Sequence, residues 1–286
     1  MSNVRPHSYQ VHTVNNRERF LAANPFCVFC GGTSSATTIE HCPPRALFQH
    51  KHWPEGFEFA SCDECNHGTS DHDAIVSMLA RMDPDDSSGN ADGRIPGLIK
   101  NVSNQFPNMI SKMLPSATEA RQKNRALGIK PRPGQTQQDV APILVPEEMS
   151  RAVATFARKL AKAIYVREVA AVFPNEGTLI LNWFTNAEIV QHGKYVLFDL
   201  LKDVPGRAVP LQRGGRYLDE QFQYKLSITP ESHVFMLQAR FGVAFGLVIF
   251  GSTKPQIIEP VVSQLREKYG NNGPFVILQS AAESVA

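Results

Sequence analysis

The 286-residue sequence lacks the features that mark membrane-embedded, secreted and strongly basic proteins. Its longest stretch without strongly polar residues, 241–251, is far shorter than the ~20 residues that a membrane-spanning helix needs. The beginning of the chain has no apolar segment of the kind found in secretion signals. Because 29 basic side chains face 27 acidic ones, the net charge is only +2, which excludes a histone-like or polybasic binder.

Cysteine is scarce, odd in number and confined to one region. All five cysteines lie between positions 27 and 65, and seven of the nine histidines lie in the first 72 residues. An odd count argues against a disulfide scaffold and favours a reducing compartment, so we expect a cytoplasmic protein. Clustered cysteine and histidine are typical of metal binding, so the sequence predicts a metal-binding unit near its beginning.

Charge and proline divide the chain into three parts. Residues 1–80 carry five bases and eight acids, whereas residues 94–135 carry eight bases and one acid. Eight of the 20 prolines fall between Pro84 and Pro146. We therefore predict an N-terminal unit over residues 16–80, a basic Pro/Gly-rich linker over 81–145, and a separate domain of unknown role over 146–286.

The third part has the patterns of an α+β domain with an antiparallel sheet. Pro146 followed by two acids begins a predicted helix that continues at helical spacing to about Ala171. Strands are predicted at residues 178–184, 195–201 and 242–250, and polar and apolar residues alternate along a hairpin formed by 222–229 and 233–240. A last helix is predicted over 260–269.

Four of the cysteines form two Cys-x-x-Cys knuckles separated by 31 residues. They are Cys27, Cys30, Cys62 and Cys65. Four thiolates at this spacing can close a tetrahedral Zn(II) site with Zn–S distances of about 2.3 Å. Gly31 and Gly32 follow the first knuckle, where a tight turn needs a positive φ. Four ordinary buried cysteines are the alternative, and Cys42, without a partner, is interpreted as a small buried hydrophobe.

Between the knuckles, Glu40 and His41 stand side by side in the segment Ile39-Glu40-His41-Cys42-Pro43-Pro44. On an extended strand, adjacent side chains point to opposite faces, so one can hold a metal while the other faces a substrate. Three further polar residues follow the second knuckle, either as a solvated helix face or as a supporting shell to a metal: Asp71, His72 and Asp73.

Taken together, these motifs resemble the HNH endonuclease superfamily, the zinc-stapled ββα-metal nucleases. The match is a Cys-x-x-Cys pair, an acid followed by His, a proline two residues on, and a second Cys-x-x-Cys pair followed by Asn. This chain supplies them in order as Cys27/Cys30, Glu40-His41, Pro43, Cys62/Cys65 and Asn66. It looks most like the subgroup with a Glu-His-x-Pro-Pro core, and the resemblance covers roughly residues 16–80.

The resemblance implies a treble-clef, ββα-metal unit and a role for each matching residue. His41 takes the place of the general base that deprotonates water. Glu40 and Asn66 take the place of ligands to a catalytic Mg(II) or Mn(II) ion, separate from the structural zinc. The family often has an asparagine that orients the base, but residues 43–61 contain none. A backbone carbonyl near Phe59 is one substitute, and His67 competes with Asn66 for the ligand role.

Nucleic acid is the implied partner, with DNA as the first choice and RNA left open. Because the N-terminal unit is acidic, affinity is assigned to basic residues that neutralise phosphates. Arg45 is a candidate phosphate contact, and four more belong to the basic linker: Lys123, Arg125, Lys130 and Arg132. The helix predicted from Pro146 adds Arg151, Arg158, Lys159, Lys162 and Arg167. The alternative is that these side chains are simply solvated.

The leading hypothesis from the sequence is a divalent-metal-dependent endonuclease acting on DNA. Two alternatives remain open. One is a non-catalytic zinc module that binds nucleic acid or a protein partner. The other is a nuclease effector that is regulated by a ligand or partner of residues 146–286.

Overall fold

The computed structural model describes residues 16–82, 92–270 and 274–278. These residues form a mixture of helices and antiparallel strands, so the predicted α+β class is confirmed. None of the described helices combines the length and the apolar character needed to cross a membrane.

The N-terminal region consists of a short helix, a hairpin and two further helices. Helix α1 (Asn16–Ala23) precedes strands β1 (Thr38–His41) and β2 (Glu58–Ser61), which pair antiparallel with Glu40 opposite Phe59. Helices α2 (Asp63–His67) and α3 (Ser70–Ala80) follow directly. The connection between the strands contains two single 3₁₀ turns, Arg45–Leu47 and Gln49–Lys51.

The predicted linker contains more regular structure than its proline content suggested. Its described residues include three helices, α4 (Ile95–Gln105), α5 (Met109–Met113) and α6 (Ala117–Leu127). Pro96 stands in the first turn of α4, where a missing N–H costs nothing, and Pro107 lies between α4 and α5. Ser116 and Glu119 form a capping box at the start of α6. The prolines therefore separate short helices instead of preventing them.

A long helix and a six-stranded sheet make up the C-terminal region. Its helices are the long α7 (Glu147–Val169), the smaller α8 (Ala187–His192) and α9 (Val196–Leu200), and the terminal α10 (Pro255–Tyr269). The strands, in chain order, are β3 (Thr178–Thr185), β4 (Arg207–Ala208), β5 (Gln212–Arg213), β6 (Arg216–Tyr217), β7 (Gln223–Thr229), β8 (Val234–Phe241), β9 (Phe245–Ser252) and β10 (Val276–Leu278). The main sheet has the order β10-β3-β9-β8-β7-β4, and β5 pairs with β6 separately.

Most of the predicted elements of this region are confirmed, and one is wrong. The long helix, the hairpin of β7 and β8, the strands at β3 and β9 and the last helix all form, although the last helix begins earlier than predicted. The strand predicted at 195–201 is instead the helix α9, which packs its Leu197 and Phe198 on the sheet. Periodicity cannot distinguish a strand from a helix in a short continuous apolar run.

Helix α7 lies at the centre of the molecule and is buried on two sides. It packs against α3 and, through pairs such as Phe156 and Phe241 with ring centroids 5.4 Å apart, against the sheet. Phe57 of the N-terminal region in turn contacts Phe222 at 5.8 Å. Residues 16–80 and 146–278 therefore share one continuous hydrophobic core, and the division of the chain into three domains stays a prediction.

Candidate functional site

The four cysteines of the two knuckles form a cluster that can hold a metal ion such as zinc. Their sulfur atoms all lie within 4.8 Å of one another, close to the spacing of about 3.8 Å that Zn–S distances of about 2.3 Å impose. Cys62 caps the beginning of α2 and Cys65 lies within it. Cys42 is buried outside the cluster, as predicted.

Gly31 shows why glycine follows the first knuckle. Its φ is 70°, a backbone angle that residues with a side chain rarely adopt. A Cβ at this position would lie 2.5 Å from the backbone nitrogen of Asn175. The turn after Cys30 therefore packs directly against the segment that leads into β3. The cysteine cluster is thus fixed against the C-terminal region as well as within its own hairpin.

A cleft of about 320 Å³ beside the hairpin brings the predicted chemical residues together. Glu40 and His41, at the end of β1, line it, and so does Asn66 from α2. Arg45, Lys51 and Asp73 complete its polar lining. Carboxylate and amide oxygens are the donor types that Mg(II) and Mn(II) prefer.

Glu40 is almost completely buried and both of its oxygens have partners. The Oγ of Ser61 donates to Oε2 over 3.1 Å, and the ammonium group of Lys159 contacts Oε1. Burial raises the pKa of Glu40 from 4.5 to about 7, although the charge and hydrogen bond of Lys159 oppose this rise. Glu40 is therefore a carboxylate that already has a cation beside it.

Lys159 reaches Glu40 from the centre of α7. Its Nζ also lies 3.8 Å from Asp73 Oδ2 and donates to Thr69 Oγ1 over 2.6 Å. Burial lowers the pKa of Lys159, but the charges of Asp73 and Glu40 outweigh this effect and raise it. The sequence suggested that Lys159 is a solvated or phosphate-binding side chain. That interpretation was wrong because α7 is covered on the face that carries Lys159.

The same burial removes a second residue from the predicted basic helix face. Lys162 is buried, and its Nζ donates to the carbonyl oxygen of Phe29 over 2.7 Å. Arg167 stacks on the ring of Phe57 at 4.3 Å. Lys159, Lys162 and Arg167 thus connect α7 to the N-terminal region, and the two buried lysines are not available to phosphate groups.

Asn66 and His67, the two candidates for the second metal ligand, have different environments. Asn66 lines the cleft, and its Nδ2 donates to Thr38 Oγ1 over 2.9 Å, which leaves its amide oxygen for a ligand. The side chain of His67 is 74% exposed and lies near Asp63 of its own helix. The structure thus brings Asn66, and not His67, to the cleft that contains Glu40.

His41 is half buried and packs edge to face against Trp53, with ring centroids 4.6 Å apart. Burial lowers its pKa, the charges of Arg45 and Arg213 act in the same direction, and Glu58 opposes them. Among residues 16–82, 92–270 and 274–278, no side chain or backbone group makes a hydrogen bond to this ring. The contact with Trp53 thus restricts the orientation of the His41 ring.

Trp53 is itself held between two guanidinium groups. Arg45 lies 4.0 Å and Arg213 3.7 Å from the centre of its ring. Its Nε1 donates to Glu58 Oε1 over 2.9 Å, and the same oxygen accepts from Arg213 over 3.2 Å. Arg213 comes from the small β5–β6 hairpin, so this C-terminal element contributes positive charge beside His41.

Reasoning from the sequence missed Trp53 and Arg213, and it assigned Lys159 to solvent or phosphate instead of to Glu40. None belongs to a motif, and two of them lie far along the chain from the residues that they contact. The four linker bases, Lys123, Arg125, Lys130 and Arg132, lie on α6 and the segment after it and do not line the cleft. Their role in binding nucleic acid stays a prediction.

Comparisons with models of protein families, with curated proteins and with solved structures found no match for this chain. Its chemistry therefore has to be inferred from the cleft itself. A histidine, two carboxylates and an amide line it together with Arg45 and Lys51, and Lys159 contacts Glu40.

Proposed function

We propose that the protein is a divalent-metal-dependent endonuclease that hydrolyses phosphodiester bonds in DNA, with residues 16–80 as an HNH unit. The observation that carries this proposal is the shared cleft of Glu40, His41 and Asn66 beside the four-cysteine cluster. A strand pair followed by helices supplies these side chains, and a ββα-metal nuclease requires the same order of elements.

In this mechanism His41 is the general base. One ring nitrogen accepts a proton from the attacking water, while the contact with Trp53 keeps the ring in place. Glu40 and Asn66 would hold the divalent ion, and Asp73 of α3 lines the same cleft. When bound, this ion would neutralise charge on the phosphate and on the leaving oxygen. Zinc at the cysteines is structural.

Positive side chains around the cleft would position the phosphate. Arg45 and Lys51 line the cleft, and Arg213 lies on the other side of Trp53 from Arg45. Arg213 adds a positive charge from outside residues 1–80, whose own balance is acidic. The bases of α6 and its following segment would add affinity that does not depend on sequence.

One observation favours a second candidate, a zinc module that binds nucleic acid or a protein without catalysis. Glu40 is paired with Lys159 deep in the molecule, and a purely structural ion pair has the same appearance. In that case Lys159 neutralises Glu40 permanently and a divalent ion has no place there. The two candidates predict opposite results for substitutions at Glu40 and His41.

Plasmid cleavage by the purified full chain in Mg(II) or Mn(II) tests the proposal. His41→Ala should lower the cleavage rate about 10²–10⁴-fold, because the general base is lost, with folding, zinc content and DNA affinity nearly unchanged. His52→Ala is the matched control, since this exposed histidine is close by but does not line the cleft.

If the wild-type protein cuts neither DNA nor RNA with any divalent ion, the enzyme proposal is wrong and the binding-module candidate stands. Equal activity of His41→Ala and His52→Ala would also reject His41 as the base.

A further inference from the structure

A second cavity, of about 520 Å³, lies on the face of the main sheet that is turned away from α7. Side chains alternate along β7 and β8, so Tyr224 faces α7 and donates to Glu168 there, while Lys225 points to the opposite side. Lys225 is paired in register with Gln238 of β8, and Gln223 with Arg240. Phe198 of α9 borders the cavity on its apolar side.

Gln238 has an unusual position at this cavity. Its side chain is 8% exposed, and its Nε2 is buried without a hydrogen-bond partner among the residues that the structure describes. A buried amide without a partner destabilises a folded protein, and almost all such groups in proteins are hydrogen-bonded. Gln238 lines the cavity, so a rotation of its side chain would bring this unpaired N–H to an acceptor atom of a ligand.

The charges around Gln238 indicate the sign of that ligand. Lys225 donates to the carbonyl oxygen of Lys202 over 3.0 Å, and Arg240 to the amide oxygen of Gln223 over 2.9 Å. Neither base pairs with a carboxylate within the described parts of the chain. Asp219, the acid in the lining, already accepts from the backbone nitrogen of Leu211 over 3.0 Å. The cavity thus has an excess of positive charge beside a free donor.

We propose that this cavity binds a small organic anion through its phosphate or carboxylate group. Gln238 donates to an oxygen of the anionic group, and Lys225 and Arg240 neutralise its charge. The volume lies within the range of about 300–1,000 Å³ typical of small-molecule sites, so a ligand of metabolite size fits beside Phe198. This site is separate from the cleft and does not depend on nuclease activity.

Isothermal titration of the full chain in low-salt buffer without phosphate tests the proposal, with inorganic phosphate and citrate as probes. Binding of phosphate alone identifies the phosphate group as the ligand chemistry, and binding of citrate alone identifies the carboxylate group. The double substitution Lys225→Gln with Arg240→Gln should weaken binding at least tenfold. Lys254→Gln, an exposed lysine outside the cavity, should leave it unchanged.

Gln238→Leu supplies an independent measurement. It should raise the melting temperature of the unliganded protein, because the buried amide without a partner is gone, and it should abolish the binding of the probe. The proposal is overturned if neither probe binds the wild-type protein, or if the double variant binds as tightly as Lys254→Gln does. Phosphate and citrate salts also stabilise folded proteins in general, but this effect would be equal in all variants and so differs from binding at the cavity.

Discussion

Replacing Lys159 by methionine should destabilise the protein far more than an ordinary lysine substitution. The side chain of Lys159 is 7% exposed and that of its partner Glu40 4%. Removing one member of a buried ion pair typically costs about 3–5 kcal/mol, because the other charge is left without compensation. Methionine fills a similar volume, so little of the loss comes from a cavity.

The structure places the expected loss at about 3 kcal/mol, near the lower end of that range. Burial already raises the pKa of Glu40 to about 7, so the carboxyl group can take up a proton when its counter-ion is removed. The control is Lys112→Met, whose partner Glu148 is on the surface, with side-chain exposures of 55% and 29%. That substitution should cost about 0–1 kcal/mol.

The pH dependence has a defined sign. Without Lys159 the pKa of Glu40 in the folded state should rise further above its ordinary value of 4.5. A raised pKa contributes stability that is complete below the unfolded value and is lost as the pH rises through the folded value. The difference in stability between wild type and Lys159→Met should therefore grow between about pH 6 and pH 8.

Urea unfolding followed by far-ultraviolet circular dichroism, in buffer without added divalent ions, measures these differences. The double variant Lys159→Met with Glu40→Gln should recover more than half of the loss, because a neutral amide needs no counter-ion. Mn(II) should stabilise Lys159→Met more than wild type, because the ammonium group no longer competes for Glu40. A loss below about 1 kcal/mol, equal to that of the exposed control, would show that the buried pair does not form in solution.

Three further results are expected. Elemental analysis after dialysis against EDTA should find about one Zn per chain, and Cys62→Ser, but not Cys42→Ala, should release it and unfold the N-terminal region; a folded protein without metal would refute this. Asn66→Ala should lose activity, and excess Mn(II) should partly restore it, whereas His67→Ala should keep its activity. The reverse pattern would make His67 the ligand. Each lost phosphate contact should lower the slope of log affinity for duplex DNA against log salt by about 0.9, and an unchanged slope would reject contacts made by Lys123, Arg125, Lys130 and Arg132.

Short-range patterns in the sequence were sufficient for the local features of the site. The two knuckles predicted the four-cysteine cluster, because the two residues between the cysteines of each knuckle form a turn that brings its two sulfurs together. The pairing of β1 with β2 then brings the two knuckles together. The alternation of side chains on a strand predicted opposite faces for Glu40 and His41, and in the structure both residues contribute to the lining of one cleft. Helical periodicity from Pro146 predicted α7 to within about two residues of its end.

The contacts that complete the cleft depend on which elements cover one another. From the sequence, a lysine on an amphipathic helix is expected to be solvated, since burying a charge is unfavourable unless it is paired. Only the packing of α7 between α3 and the sheet encloses Lys159, and only the fold supplies Glu40 and Asp73 as its partners. The positions of Trp53 and Arg213 beside His41 have the same origin.

The sequence by itself thus determined the two cysteine pairs, the adjacent acid and histidine and the class of the fold, because each depends on residues close together in the chain or on a regular repeat. Tertiary structure decided which charges are buried, what packs against His41, and where Gln238 Nε2 lies without a hydrogen-bond partner among the described residues. These depend on contacts between distant segments. Burial and electrostatic environment arise only when those segments exclude water from between them.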